Sequence, residues 1–308
     1  MSATKILVLG AGELGTAILT SLAKLAPHNT SITVLLRPNT ISSTNPSKQA
    51  ELSYLKSLDI SFLAGDIATQ SVPELSSLFK SYDIIISCLG FASGPGSQIK
   101  IAKAVLEAKI NRYFPWQFGV DYDIIGRGSA QNLWDEQLDV RDLLKLQQET
   151  EWIIVSTGMF TSFLFESFFG VVEGLSEEGD VTVRALGGWE NSVTVTTPED
   201  IGRLTTMIAF EEPRIRNRVV YTAGETVTYA KVAEIVERLT GKTVKKEVWD
   251  VEKLKEDLSR DPDDTLKKYR IVFAEGRGVS WDMEKTFNVQ KGIEVQDVES
   301  FAREKFRS

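Results

Sequence analysis

The chain has 308 residues, 42% of them apolar and 25% charged, which suits an ordered globular protein with one large α/β unit or two intimate domains. Its net charge of -8 leaves no basic footprint for nucleic acid or an anionic membrane surface. With one histidine, His28, and one cysteine, Cys88, it excludes imidazole-based metal sites, Ser-His-Asp triads, Cys-His pairs and any internal disulfide, so no metal is expected.

The first strand is predicted over 5–9, within a few residues of Met1, which leaves no room for a leader peptide. Gly10-Ala11-Gly12-Glu13-Leu14-Gly15 follows it and opens an apolar helical pattern over 16–25. In the spacing G-x-G-x-x-G the first glycine turns the chain and the second admits a pyrophosphate close to the backbone. The third lets helix and strand pack tightly, while the helix N-terminus offers free N–H groups. The position between strand and helix is the context in which this pattern binds a dinucleotide. The second strand, over 32–36, ends at Arg37. A carboxylate there would bond the adenosine ribose and repel a 2′-phosphate; a guanidinium does the reverse, so NADP(H) is the expected cofactor. Asn39, Ser42, Ser43 and Lys48 follow and could add donors.

Helical patterns over 48–58, 72–79, 98–109 and 132–148 alternate with apolar runs over 60–64, 83–88, 113–116 and 152–156. Such runs read as parallel strands buried on both faces. The repetition predicts an α/β fold, a Rossmann-type doubly wound parallel sheet with its crevice at the carboxyl ends of the strands. Asp66 closes the third strand, either near the adenine or as a helix cap. After 156 the pattern changes. An aromatic stretch, with Phe160, Phe163, Phe168 and Phe169, precedes strands over 181–186, 192–196 and 219–223 and helices from 198 to 209 and from 229 to 240. The longest apolar stretch, 159–172, is interrupted by Thr161, Ser162, Glu166 and Ser167, so no membrane span is expected and a cytoplasmic location is. The expected division is a cofactor domain over 1–157, with strands from about 192–225 returning to it, and a smaller intertwined substrate domain over 158–308.

Arg112-Tyr113-Phe114-Pro115-Trp116-Gln117-Phe118-Gly119-Val120-Asp121 resembles the R-F-x-P-S-E-F-G-x-D segment of the isoflavone reductase-like, NmrA-like group of atypical short-chain dehydrogenases. The resemblance extends through Gly65-Asp66, Val140-Arg141, Pro198-Glu199-Asp200, Thr228-Tyr229 and Thr240-Gly241-Lys242. The Trp116-Gln117 variant is similar to fungal members associated with secondary metabolism. The resemblance implies cofactor contacts at Gly10, Gly12, Glu13, Leu14, Gly15, Arg37, Lys48, Leu89, Gly90, Phe91, Gln117, Phe118, Met159 and Phe160. It implies a substrate pocket at Trp116, Asp121, Phe160 and Phe163.

Reductases of that group carry a lysine in a pattern resembling F-x-x-K-x-x-V-R. Aligned on Val140-Arg141, that position holds Gln137, which can donate a hydrogen bond but cannot act as an acid. No Tyr-x-x-x-Lys occurs in the chain. The remaining candidates are Tyr122, in the loop after the fifth strand, as proton donor or as a structural tyrosine, and Gln117 with Gln137 as a pair orienting a carbonyl or amide. The expected function is an NADP(H)-dependent oxidoreductase on a hydrophobic aromatic or heterocyclic metabolite, with hydride transfer to or from C=C, C=N or C=O. A transient redox step that triggers cyclisation or rearrangement is a variant of it. The competing expectation is a non-catalytic NADP(H) redox sensor that binds a regulatory protein. The expected partners are a small-molecule substrate and, for the protein itself, a second copy in a homodimer.

Overall fold

The computed structural model describes residues 3–175 and 179–307. The elements run β1 (Thr4–Leu9), α1 (Glu13–Leu25), β2 (Thr30–Leu36), α2 (Pro38–Ile41), α3 (Pro46–Ser57), β3 (Ser61–Ala64), α4 (Val72–Phe79), β4 (Ile84–Ser87), α5 (Ser97–Glu107) and β5 (Arg112–Phe114). They continue with α6 (Tyr122–Ile125), α7 (Trp134–Lys145), β6 (Glu151–Ser156), β7 (Met159–Phe160), β8 (Val172–Glu173), β9 (Val181–Leu186), β10 (Ser192–Thr196) and α8 (Pro198–Ala209). The last part holds β11 (Arg218–Tyr221), β12 (Glu225–Thr228), α9 (Tyr229–Thr240), β13 (Val244–Trp249), α10 (Val251–Ser259), α11 (Thr265–Glu275), α12 (Phe287–Gln290) and α13 (Val298–Lys305). None of the described helices is long and apolar enough to cross a membrane.

The chain divides into two compact units. The first comprises Met1–Phe118, Glu136–Val155 and Ile201–Val220. Its sheet has the order β11-β6-β5-β4-β1-β2-β3, and β1 through β6 pair in parallel. Ile6, Leu7, Val8 and Leu9 of β1 are wholly buried, because a central parallel strand is covered on both faces. Strand order reverses between β1 and β4, and it is outside the carboxyl ends of such a pair that doubly wound sheets bind ligands.

Local chemistry sets the helix starts. Asn45 accepts from the N–H groups of Ser47 and Lys48 at 3.0 and 3.2 Å ahead of Pro46, and Glu74 accepts the Ser71 N–H at 2.8 Å. Pro115 ends β5, because it has no N–H to continue the ladder; the strand therefore stops at Phe114 instead of Trp116.

The second unit comprises Gly119–Asp135, Ser156–Asp200 and Tyr221–Ser308. It holds two three-stranded sheets, β12-β10-β7 and β13-β9-β8. The strand over 192–196 does not return to the main sheet as expected; it pairs antiparallel with β12 and parallel with β7, while β11 alone takes the edge beside β6. Four strands escaped the sequence reading, two of them, β7 and β8, only two residues long. β12 is only four residues long, and β13 (Val-Lys-Lys-Glu-Val-Trp) is a half-exposed edge strand whose lysines mask its period.

Candidate cofactor site

The turn between β1 and α1 is shaped by its glycines. Gly10 has φ of +90°, which favours glycine, and a Cβ on Gly15 would lie 2.2 Å from the Gly10 carbonyl oxygen. Gly12 differs: its φ is -75° and nothing lies within 4 Å of where its Cβ would be. Among the described residues no side chain caps α1, so its first N–H groups and the positive end of its dipole face that open space. This cradle fits a pyrophosphate. Glu13 is exposed beside it, while Leu14 is only 5% exposed, so Leu14 offers its main chain alone.

Arg37 lies at the end of β2, half-exposed, with its Nε 3.7 Å from Asp66 Oδ1. The same carboxylate oxygen accepts from the Ala68 N–H at 2.9 Å, so Asp66 both closes the turn after β3 and holds the guanidinium. Arg37, Asn39, Ser43, Asn45 and Lys48, together with the Glu51 carboxylate, line one hollow of about 490 Å³, in which the Arg37 guanidinium and the Lys48 ammonium are the cations suited to a phosphate. Lys48 is ion-paired with Glu51, and Ser42 donates to the Pro38 carbonyl instead of joining the lining.

Beyond β4, Leu89, Gly90 and Phe91 sit at the crevice end of the sheet. Gln98, 2% exposed, donates through Nε2 to the carbonyls of Leu89 at 2.8 Å and Gly90 at 3.3 Å. Half-buried Trp116 meets Phe91 edge-on, with centroids 4.8 Å apart. Burial of the Cys88 thiol pushes it up from its ordinary value. Sequence reasoning missed Gln98 and Glu136, which meet the loop after β4. Only the pairing of α5 with α7 reveals them.

All three candidates for catalysis are buried. Gln117 is wholly buried; its Nε2 donates to the Gln137 carbonyl at 2.9 Å and its Oε1 accepts from Arg141 Nε at 2.7 Å. It is a strut between β5 and α7. Gln137 is also wholly buried, and neither atom of its carboxamide has a hydrogen-bond partner among the described residues. Tyr122 is 4% exposed and packs edge-on to Trp134, which in turn packs on Tyr269, so it is part of an aromatic core. Asp121, expected in the substrate pocket, is 4% exposed: one oxygen accepts the Ile124 N–H at 3.2 Å and the other the Tyr221 hydroxyl at 2.5 Å. It organises a loop.

Phe118 is buried in the first unit and Met159 in the second. In the second unit half-buried Phe160 and Phe163 are 5.9 Å apart, and Phe163 continues to Phe168 and Phe169. This aromatic run offers an apolar surface at Phe168, which is 47% exposed.

Residues 2–301 match the family model described as the NmrA-like family. A protein of Gibberella moniliformis named "NmrA-like family domain-containing oxidoreductase" is 46% identical over 301 residues, 97% of each chain. The phenylcoumaran benzylic ether reductase Betv6 of Betula pendula is 27% identical over 96% of this chain and 94% of its own. Among solved structures, isoflavone reductase superposes with a TM-score of 0.79 at 21% identity, covering 99% of this chain and 100% of that one. The leucoanthocyanidin reductase–NADPH complex of Vitis vinifera does so with 0.80 at 18% identity and the same coverage. The long match to the family model and the identity to a relative over nearly the whole length make this chain a member of the NmrA-like family.

Proposed function

We propose that this protein is an NADP(H)-dependent oxidoreductase acting on a hydrophobic aromatic or heterocyclic secondary metabolite. The observation that carries the reading is the open, uncapped start of α1 over Gly12, with the donor-lined hollow at Arg37 in the same unit. The names of its relatives, an oxidoreductase and several plant reductases of aromatic natural products, support the same class.

The cofactor, when bound, supplies the hydride given to or taken from a C=C, C=N or C=O bond. The chain's own residues bind and orient. The N–H groups of Glu13 and Leu14 and the Gly12 backbone would hold the pyrophosphate, and Arg37 with Lys48 the 2′-phosphate. Leu89, Gly90, Phe91 and Trp116 would border the ring end. With no lysine at position 137, the chain positions its substrate, and the proton is exchanged with water. That division of labour suits a transient redox step that starts a cyclisation or rearrangement.

Calorimetric titration with NADPH and NADH, then incubation with aromatic and heterocyclic candidates followed by NADPH absorbance and product mass, tests this reading. Binding of NADPH with cofactor-dependent conversion is expected; no binding of either nucleotide overturns it. One observation favours a second reading, a redox sensor for a regulatory protein: the wholly buried, neutral Gln137 leaves α7 without an acid at that position. Turnover by the unsubstituted protein disposes of the sensor.

A further inference from the structure

α7 begins two residues before a carboxylate that serves a different helix. Glu136 Oε1 accepts the N–H groups of Gln98 at 2.7 Å and Ile99 at 3.0 Å, and Oε2 accepts that of Gly96 at 2.8 Å. A helix leaves its first N–H groups without partners inside itself. Here one side chain, 38 residues along from Gln98, meets three of the N–H groups at and around the start of α5, with its negative charge at the positive end of the helix dipole.

The first turn of α5 is not idle. Gln98, whose own N–H is held by Glu136, turns its side chain back onto the carbonyls of Leu89 and Gly90. The next residue of α7, Gln137, receives Gln117 on its carbonyl, and Arg141 holds the other end of the same carboxamide. One helix therefore braces both the loop after β4 and the segment after β5.

We infer that Glu136 is a positioning residue for the cofactor, acting through Gln98 to hold Leu89, Gly90 and Phe91 in the arrangement that receives it. The inference rests on the reading above that these residues border the nucleotide. Glu136 itself touches no nucleotide. Its removal frees the start of α5 and lets the loop occupy other arrangements, and an affinity falls in proportion to the fraction of competent protein.

The full-length protein is titrated with NADPH by calorimetry, as are Glu136→Ala and Glu136→Gln. Amide hydrogen exchange is followed at Gly96, Gln98 and Ile99, with thermal unfolding of each unliganded protein. Glu136→Ala should weaken NADPH by about tenfold and speed exchange at those three amides. Glu136→Gln keeps one acceptor oxygen and should fall between the two, so it carries the test if the alanine variant fails to fold. Unchanged NADPH affinity in a variant whose three amides exchange faster overturns the inference, since the carboxylate is then only a helix cap. Unaltered exchange overturns it too, because the brace is then not formed. If the unsubstituted protein takes up no NADPH, the cofactor reading falls and the inference with it.

Discussion

Gln117 and Arg141 share a buried hydrogen bond of 2.7 Å, from the guanidinium Nε to the carboxamide oxygen. The family pattern that the chain resembles carries an acidic residue at the first of these positions and a lysine at 137. Both hold glutamine here, so this helix–strand junction carries two neutral amides. A bidentate amide braces this junction without the desolvation that two buried charges demand.

Gln137 is the first place to test this. Its carboxamide is wholly buried with both ends unpartnered among the described residues, and each such group costs about 1–3 kcal/mol of desolvation. Gln137→Met, close in volume, should therefore raise the thermal midpoint by a few degrees, on the order of 1–2 kcal/mol. Gln137→Lys should do the opposite, because it buries an ammonium one helical turn from Arg141. Thermal unfolding of both variants decides; a methionine variant less stable than the parent would mean that the amide is satisfied.

The two glycines that flank the helix start should part company. Gly12→Val places its side chain in open space at an ordinary φ, so folding should survive while NADPH binding is lost. Gly15→Ala drives a methyl onto a main-chain oxygen and should destabilise by about 1–3 kcal/mol or more. Retained cofactor binding in Gly12→Val, seen by calorimetry, would place the pyrophosphate elsewhere.

Arg37 should decide between the two nucleotides. Arg37→Asp removes the cation and sets a second carboxylate near Asp66, so NADPH should lose about 1.5–3 kcal/mol of binding relative to NADH. Paired titrations measure it. Equal affinities for both nucleotides in the unsubstituted protein would rule out this role.

The acid limb of stability should carry a signature of Glu247. Hydrogen bonds from Lys245 and then Arg184 hold its carboxyl down to about 2. A folded value below the unfolded one means that the contribution is present above about pH 4.5 and is lost as pH falls towards 2. Ion pairs this near the surface are worth up to about 1 kcal/mol. Glu247→Gln should lower the midpoint at pH 6 and bring the two curves together only near pH 2. Parallel curves would show that the pair adds nothing.

Much of this was legible in the residues themselves. Apolar runs of four to six, the spacing of Gly10, Gly12 and Gly15 and the arginine closing β2 are local signals, and they specified the parallel sheet, the open helix start and the donor hollow. Backbone torsion, strand burial and helix capping act over a few residues, so they can be read from a few residues.

Tertiary structure decided the rest. Whether Gln117, Tyr122, Asp121 and Gln137 face a substrate or the interior depends on partners about 12 to 150 residues away: Gln137, Arg141, Trp134, Tyr221 and Tyr269. The same is true of Glu136, an unremarkable acid in its own helix that becomes a cap only where α7 meets α5. It is true also of the strand over 192–196, whose alternation announces burial but not the sheet it joins. A side chain's chemistry is set by its residue type, but its solvation and its partners are set by which distant segments fold against it.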